Sequence, residues 1–329
     1  MTAERRIIEL LKERKEEGVL QSEIPKVLKL SKSTVSEILQ RLEGEGLIVR
    51  ERIAGKSYRV WFFEFAPKPI EGVVRIGVLR ASEYPHVLLT CDEMNAKVKI
   101  FDSALDLTKS LAMGLIDIGV SPFVTQTMFA LTLRSIRIHC IVAFNGSGVI
   151  MKKDLEECKT FATSELSAME SNLKLFLEKL GFKISELSFK YIHSPENMIK
   201  NFKACEFDAI AIWEPYFTIL KGRFEHIEFR EIIGDYPCCS LASNVKFYES
   251  QRDLLEEFLE RLKGFAEKFD KDRASKLIAN KMGFSKRVVL KSFNSYKFSA
   301  ELDEKDFRFL ENYGLKLTNE SIKKIAADF

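Results

Sequence analysis

SPENMIKNFKACEFDAIAIWEPY, Ser194–Tyr216, carries the pattern that decides the fold. Ser194 stands where a helix N-cap belongs, and Met198, Ile199 and Phe202 recur at helical spacing behind it. Asp208 then opens a short apolar run, Ala209–Ile212, that ends in Trp213-Glu214-Pro215-Tyr216. The same order occurs once before, in SALDLTKSLAMGLIDIGVSPF, Ser103–Phe123, where Asp117 opens the strand and Ser121-Pro122-Phe123 closes it. Each unit reads as capping serine, helix, aspartate, strand and Pro-aromatic loop. Ligands of open α/β sheets sit beyond the carboxyl ends of the strands. Two such units predict two lobes whose loops face one cleft.

Outward from these units, VVRIGVL is a further buried strand, and strands alternate with helices to about residue 245, which predicts an α/β module with a largely parallel sheet. In front of it APKPIEG, residues 66–72, has two prolines and a final glycine and reads as a short stiff linker. Residues 1–65 have a different character. Ile7, Ile8, Leu10 and Leu11 share one helix face, Gln21–Leu28 gives a second short helix, and Val35, Ile38, Leu39 and Leu42 make the inner face of a third. Apolar–polar alternation on both sides of Ala54-Gly55-Lys56 predicts a two-stranded hairpin. Three helices and a hairpin form a winged helix-turn-helix.

The third helix presents Lys32, Ser33, Thr34, Ser36 and Gln40, short or flexible hydrogen-bonding residues suited to base edges in the major groove. Arg52, Lys56 and Arg59, with Arg50, lie on the hairpin as candidate phosphate contacts. Double-stranded DNA is the partner these residues predict. The AGKS of Ala54–Ser57 imitates a phosphate loop, but Arg50 stands where that loop needs glycine, and the setting is a hairpin. SKSTVSEILQRLEGEGLIVR, Ser31–Arg50, resembles the winged helices of MarR- and Lrp-like regulators.

RIGVLRASEYPH, GLIDIGVSP, the Gly181–Tyr216 stretch and CSLASNVKFYES, in that order, resemble the periplasmic-binding-protein type II fold over residues 73–329. The branch they are most similar to binds thiamine-pyrimidine precursors, alkanesulfonates or nitrate. The resemblance implies a second lobe over about 148–235, with Asn145 at the hinge. It places ligand contacts at Arg80, Ser82, Tyr84 and His86; Ser121 and Phe123; Ser164, Ser167 and Ala168; and Trp213, Glu214 and Tyr216. The segment FATSELSAMES departs from the small hydroxyl-rich pattern of that branch, because Glu165 and Glu170 would repel an anion. A neutral or cationic flat ring compound, such as a thiamine precursor, is the expected effector. Tyr84, Phe123, Trp213 and Tyr216 are the rings available to stack on it.

The net charge of +3 is too small for a chain that coats nucleic acid or anionic lipid, so DNA contact must be local. Charged residues interrupt every apolar run before the ~18 residues of a spanning helix, and no signal-peptide pattern opens the chain, which together predict a cytoplasmic protein without a membrane role. The six cysteines show no C-x-x-C pairing, and Cys238-Cys239 is their one unusual feature. His86, His139, His193 and His226 are scattered without triad partners, and neither a G-x-S-x-G nor a G-x-G-x-x-G sequence is present. No catalytic group, cofactor or metal is expected. The sequence thus predicts a homodimeric transcription regulator that senses a small molecule. The alternative is a small-molecule carrier or thiamine-precursor biosynthetic protein whose winged helix binds proteins.

Overall fold

The computed structural model describes residues 2–55 and 57–326. Helices Ala3–Arg14, Ile24–Leu28 and Lys32–Gly44 precede the hairpin Ile48–Ala54 and Ser57–Phe62. Ile7 and Leu11 from the first helix, Ile24 from the second, and Val35, Leu39 and Leu42 from the third close over Val60 and Phe62. The structure adds a third strand to the expected hairpin, Val19–Leu20, paired antiparallel with Val60 and Arg59. A two-residue strand is too short to show alternation in sequence. Gly18 makes the turn before it at φ +61°, where a Cβ would stand 2.6 Å from the Trp61 ring.

The linker is anchored to the first lobe by Arg75, which is almost wholly buried. Its Nε and Nη2 donate to the two carboxylate oxygens of Asp117 at 2.9 and 2.7 Å. Nη1 donates to the linker carbonyl of Ala66 at 2.6 Å, and Nη2 also lies 2.8 Å from the linker carbonyl of Lys68 and 3.0 Å from that of Gly114. Gln251 holds the far end, donating to the Ile70 carbonyl and accepting from the Gly72 amide. A planar fork with several fixed donors suits this task better than a lysine would.

Beyond the linker stand two sheets. The first has six strands in the order Tyr296–Glu301, Ile136–Asn145, Pro237–Asn244, Ile118–Pro122, Arg75–Leu79 and Lys97–Phe101. The second has five, in the order Ser188–Tyr191, Thr160–Thr163, Ala209–Trp213, Ser147–Met151 and Glu225–Glu228. Both are mixed, which corrects the expectation of a largely parallel sheet. Only Arg75–Leu79 with its two neighbours, and Thr160–Thr163 with its two, pair in parallel. A strand buried on both faces carries no mark of its direction, so sequence could not separate the two cases.

The chain crosses between sheets at Asn145-Gly146 and returns near Gly234–Tyr236. Asn145 ties the two crossings together: its Nδ2 donates to Asp235 Oδ1 at 2.8 Å, and its Oδ1 accepts from the Tyr236 amide at 3.2 Å. Both Asn145 and Gly146 have positive φ, and a Cβ on Gly146 would lie 1.8 Å from the Tyr296 ring. Among the described residues, no helix is long and apolar enough to cross a membrane.

Candidate ligand cleft and DNA-contact surface

A narrow cleft, with a cavity volume of about 40 Å³, lies between the lobes. Strands deliver their carboxyl ends to it. Leu79, Asp102 and Pro122 come from the first lobe, and Ser164, His193 and Trp213 from the second. Two helices also begin at its wall. Ser103 caps Ala104–Ala112 by accepting from the Asp106 amide at 3.2 Å, and Ser167 caps Ala168–Lys179 from the other lobe. Glu83, Cys238 and Cys239 complete the first-lobe wall, Glu165 and Met169 the second.

The charge of the lining is negative. Asp102 and Glu165 contribute carboxylates and Glu83 a buried carboxyl, while among the described residues no lysine or arginine lines the space. Arg80 offsets Asp102 through an ion pair of 2.7 Å just outside it. Glu170 turns away, accepting from Lys174 Nζ, Tyr191 and the Leu166 amide. Burial pushes the Glu83 carboxyl and the Cys239 thiol above their ordinary values.

Of the expected ligand contacts, Ser164, Ser167, Ala168 and Trp213 line the cleft. The others are placed elsewhere. Ser82 is fully buried and accepts from Ser292 at 2.7 Å, Ser121 shares a hydrogen bond with Thr108, and Phe123 packs on Phe307. Tyr84 is buried with its hydroxyl on Glu83, at 2.5 Å. His86 is buried beside Phe298, and burial lowers its pKa to about 3. Glu214 is wholly buried and accepts from the Thr218 amide, Thr218 Oγ1 and Ser295 Oγ at 2.7–2.9 Å, binding the second lobe to the first. Tyr216 meets Trp213 edge-on, packs on Phe284 and donates to Glu196 at 2.6 Å. Arg80 spans the lobes through its carbonyl, which accepts from Trp213 Nε1 at 3.2 Å. Asn145 belongs to the crossing described above. Sequence reasoning missed Glu83, Asp102, Ser103, His193 and, as cleft residues, the cysteine pair. Ser103 alone left a signal, as the capping serine of the repeated unit.

On the first module, Lys32, Ser33, Ser36 and Gln40 form an exposed row along the third helix. Thr34 is partly buried and occupied at the N-cap, where its amide and hydroxyl meet Ser31 Oγ at 3.0 and 2.7 Å. Arg52 is exposed on the wing and donates to the Gly55 carbonyl. Arg59 turns from the wing tip to the Glu17 carbonyl at 3.1 Å, and Arg50 pairs with Glu43. Lys56 lies outside the described residues.

Residues 2–56 match the MarR family. No curated protein matches the chain. Among solved structures, the ligand-binding component of an ABC-type import system from Staphylococcus aureus with zinc bound is 15% identical, covering 77% of this chain and 98% of its own at a TM-score of 0.65. The alkanesulfonate-binding protein SsuA from Xanthomonas axonopodis pv. citri bound to MOPS is 16% identical, over 80% of this chain and 99% of its own, at 0.61. The periplasmic nitrate-binding protein NrtA from Synechocystis PCC 6803 is 12% identical, over 79% and 87%, at 0.64. The chain therefore joins a MarR-family winged helix to a module with the fold of ABC-type substrate-binding proteins, a combination that points to a ligand-binding regulator.

Proposed function

We propose that the protein is a one-component transcription regulator that binds DNA as a homodimer and is switched by a small molecule held between the lobes. The observation that carries this reading is the anchored linker. Arg75 and Gln251 hold the Ala66, Lys68 and Ile70 carbonyls of the linker against the first lobe. A change in the angle between lobes, or between subunits, is then passed to the recognition helices instead of being lost in a flexible tether. Recognition helices of a dimer read half-sites about 34 Å apart or at multiples of it, so a modest rotation disengages one of them. The effector shifts DNA affinity only by its preference for one arrangement over the other.

The carboxylates of the lining argue against the anions bound by the alkanesulfonate and nitrate proteins of this fold. A neutral or cationic molecule with a flat ring against Trp213 suits the wall better, and a thiamine precursor is of that class. The test is native mass spectrometry of the purified protein, followed by identification of any released compound and a metabolite panel read by thermal shift. A ring compound that stabilises the protein and changes its affinity for duplex DNA supports the proposal. Ligand binding without salt-sensitive duplex binding supports the carrier instead.

A further inference from the structure

The cleft floor holds a donor group that ring binding leaves unused. Successive residues of a strand face opposite sides of the sheet, so regular pairing would part the side chains of Cys238 and Cys239. In Pro237–Asn244 the register moves from Pro237 opposite Phe144 to Cys239 opposite Ala143, which makes Cys238 the extra residue of a bulge. Bulges re-aim side chains in this way. Both residues line the cleft, and their sulfurs stand 3.9 Å apart. Glu83, in the loop after Arg75–Leu79, brings Oε1 to 3.0 Å from Cys239 Sγ. The three donor atoms lie within 4.8 Å of one another.

The three side chains are buried to 4% exposure or less, and the hydrogen-bond donors to the Glu83 carboxyl are Tyr84 and cysteine thiols. Among the described residues no basic side chain forms an ion pair with it. A buried carboxyl beside two thiols is costly as an anion unless a cation joins it. We propose that Glu83, Cys238 and Cys239 bind a thiophilic divalent cation of the zinc class, with the fourth coordination position open to the interlobe cleft.

The spacing supports this. Tetrahedral zinc with Zn–S bonds of about 2.3 Å holds two thiolates roughly 3.8 Å apart, and a thiolate and a carboxylate oxygen roughly 3.6 Å apart. The sulfurs already stand at the first separation, and the carboxylate needs to retreat by only about half an ångström. The Tyr84 hydroxyl, 2.5 Å from Glu83 Oε1, orients that carboxylate as outer partners of metal ligands do. Binding replaces the two thiol protons and any carboxyl proton with the ion. This site stands on the geometry of the cleft and does not depend on DNA binding by the winged helix.

The experiment is titration of the reduced, full-length protein with Co2+, followed by displacement with Zn2+ against a chromophoric chelator. The expected result is a thiolate-to-cobalt charge-transfer band that saturates at one ion per chain and disappears on adding Zn2+. The Cys238→Ser/Cys239→Ser variant, confirmed as folded by circular dichroism, should lose the band, while Cys205→Ser, at an exposed cysteine, should keep it. Tyr84→Phe should keep the band and weaken Zn2+ binding roughly tenfold. No band in the folded wild-type protein overturns the proposal. So does a band that survives in the double variant, because other cysteines would then hold the metal.

Discussion

Trp213 and Glu214 are neighbours in the chain, yet only the tryptophan lines the cleft, while the carboxylate is spent on Thr218 and Ser295. Trp213→Ala should therefore weaken effector binding by about tenfold or more, the scale of one aromatic contact of ~1.5 kcal/mol, and, because it also removes the Trp213–Arg80 contact between the lobes, should change DNA affinity without effector. Isothermal titration and duplex anisotropy on the same variant check both halves. His86 makes a pH prediction. Burial holds its folded pKa near 3, against an ordinary value of 6.5, so between these values the unfolded chain binds a proton that the folded chain refuses. Stability then falls as pH drops through that window. Between pH 7 and 5 the wild type should lose about 2 kcal/mol relative to His86→Leu, measured by urea unfolding. Equal losses would show that His86 is protonated in the fold. These placements also mark where sequence stops informing. Residue type and loop position nominate Tyr84, Phe123, Glu214 and Tyr216 as readily as Trp213, but which way each side chain turns is settled by packing from distant segments, such as Phe307 on Phe123 and Phe284 on Tyr216.

Helix, hinge and linker each carry expectations at the scale of the element. The exposed row of the third helix predicts that Ser33→Ala with Gln40→Ala lowers sequence-specific DNA binding by ~1 to 3 kcal/mol per lost base contact, with ligand binding intact. If non-specific binding falls equally, these residues contact phosphate instead. Gly146→Ala places a Cβ against Tyr296 at positive φ and should destabilise the two-lobed module by several kcal/mol, as overpacking and backbone strain combine. Thermal unfolding of that variant is the check. At the linker, Asp117→Asn leaves the buried Arg75 guanidinium without its counter-charge and should cost about 3 to 5 kcal/mol. Replacing both partners, Arg75→Met with Asp117→Leu, removes the unpaired charge but leaves the Ala66, Lys68 and Gly114 carbonyls and the amide at position 75 without their partners, so it should recover only part of that stability, while ligand still binds but no longer alters DNA affinity. The elements themselves were largely legible, because capping serines, apolar periods and turn glycines act within a few residues. The bulge at Cys238 was not, since it exists only through pairing with Ile136–Asn145, and Glu83 joins the two cysteines from another strand's loop.

For the molecule as a whole, the repeated capped unit made the two lobes readable. Its two aspartates nevertheless do different work. Asp117 grips Arg75 beneath the linker, whereas Asp208 closes the second lobe by accepting from the Lys159 and Thr160 amides and pairing with Lys153. The first therefore sits between the winged helix and the first lobe, and the lobes are stitched by Trp213 to Arg80, Glu214 to Ser295 and Thr125 to the Leu166 carbonyl. On the proposed function, an effector competes with, or completes, those contacts to move the winged helices. The most direct test compares duplex affinity, by fluorescence anisotropy on a genomically selected site, for protein carrying the compound identified by native mass spectrometry and for the same protein stripped of it. If the protein is a ligand-switched regulator, the two affinities differ by about tenfold or more, and the difference is abolished in the Arg75→Met/Asp117→Leu variant. Equal affinities of loaded and stripped wild-type protein would contradict it.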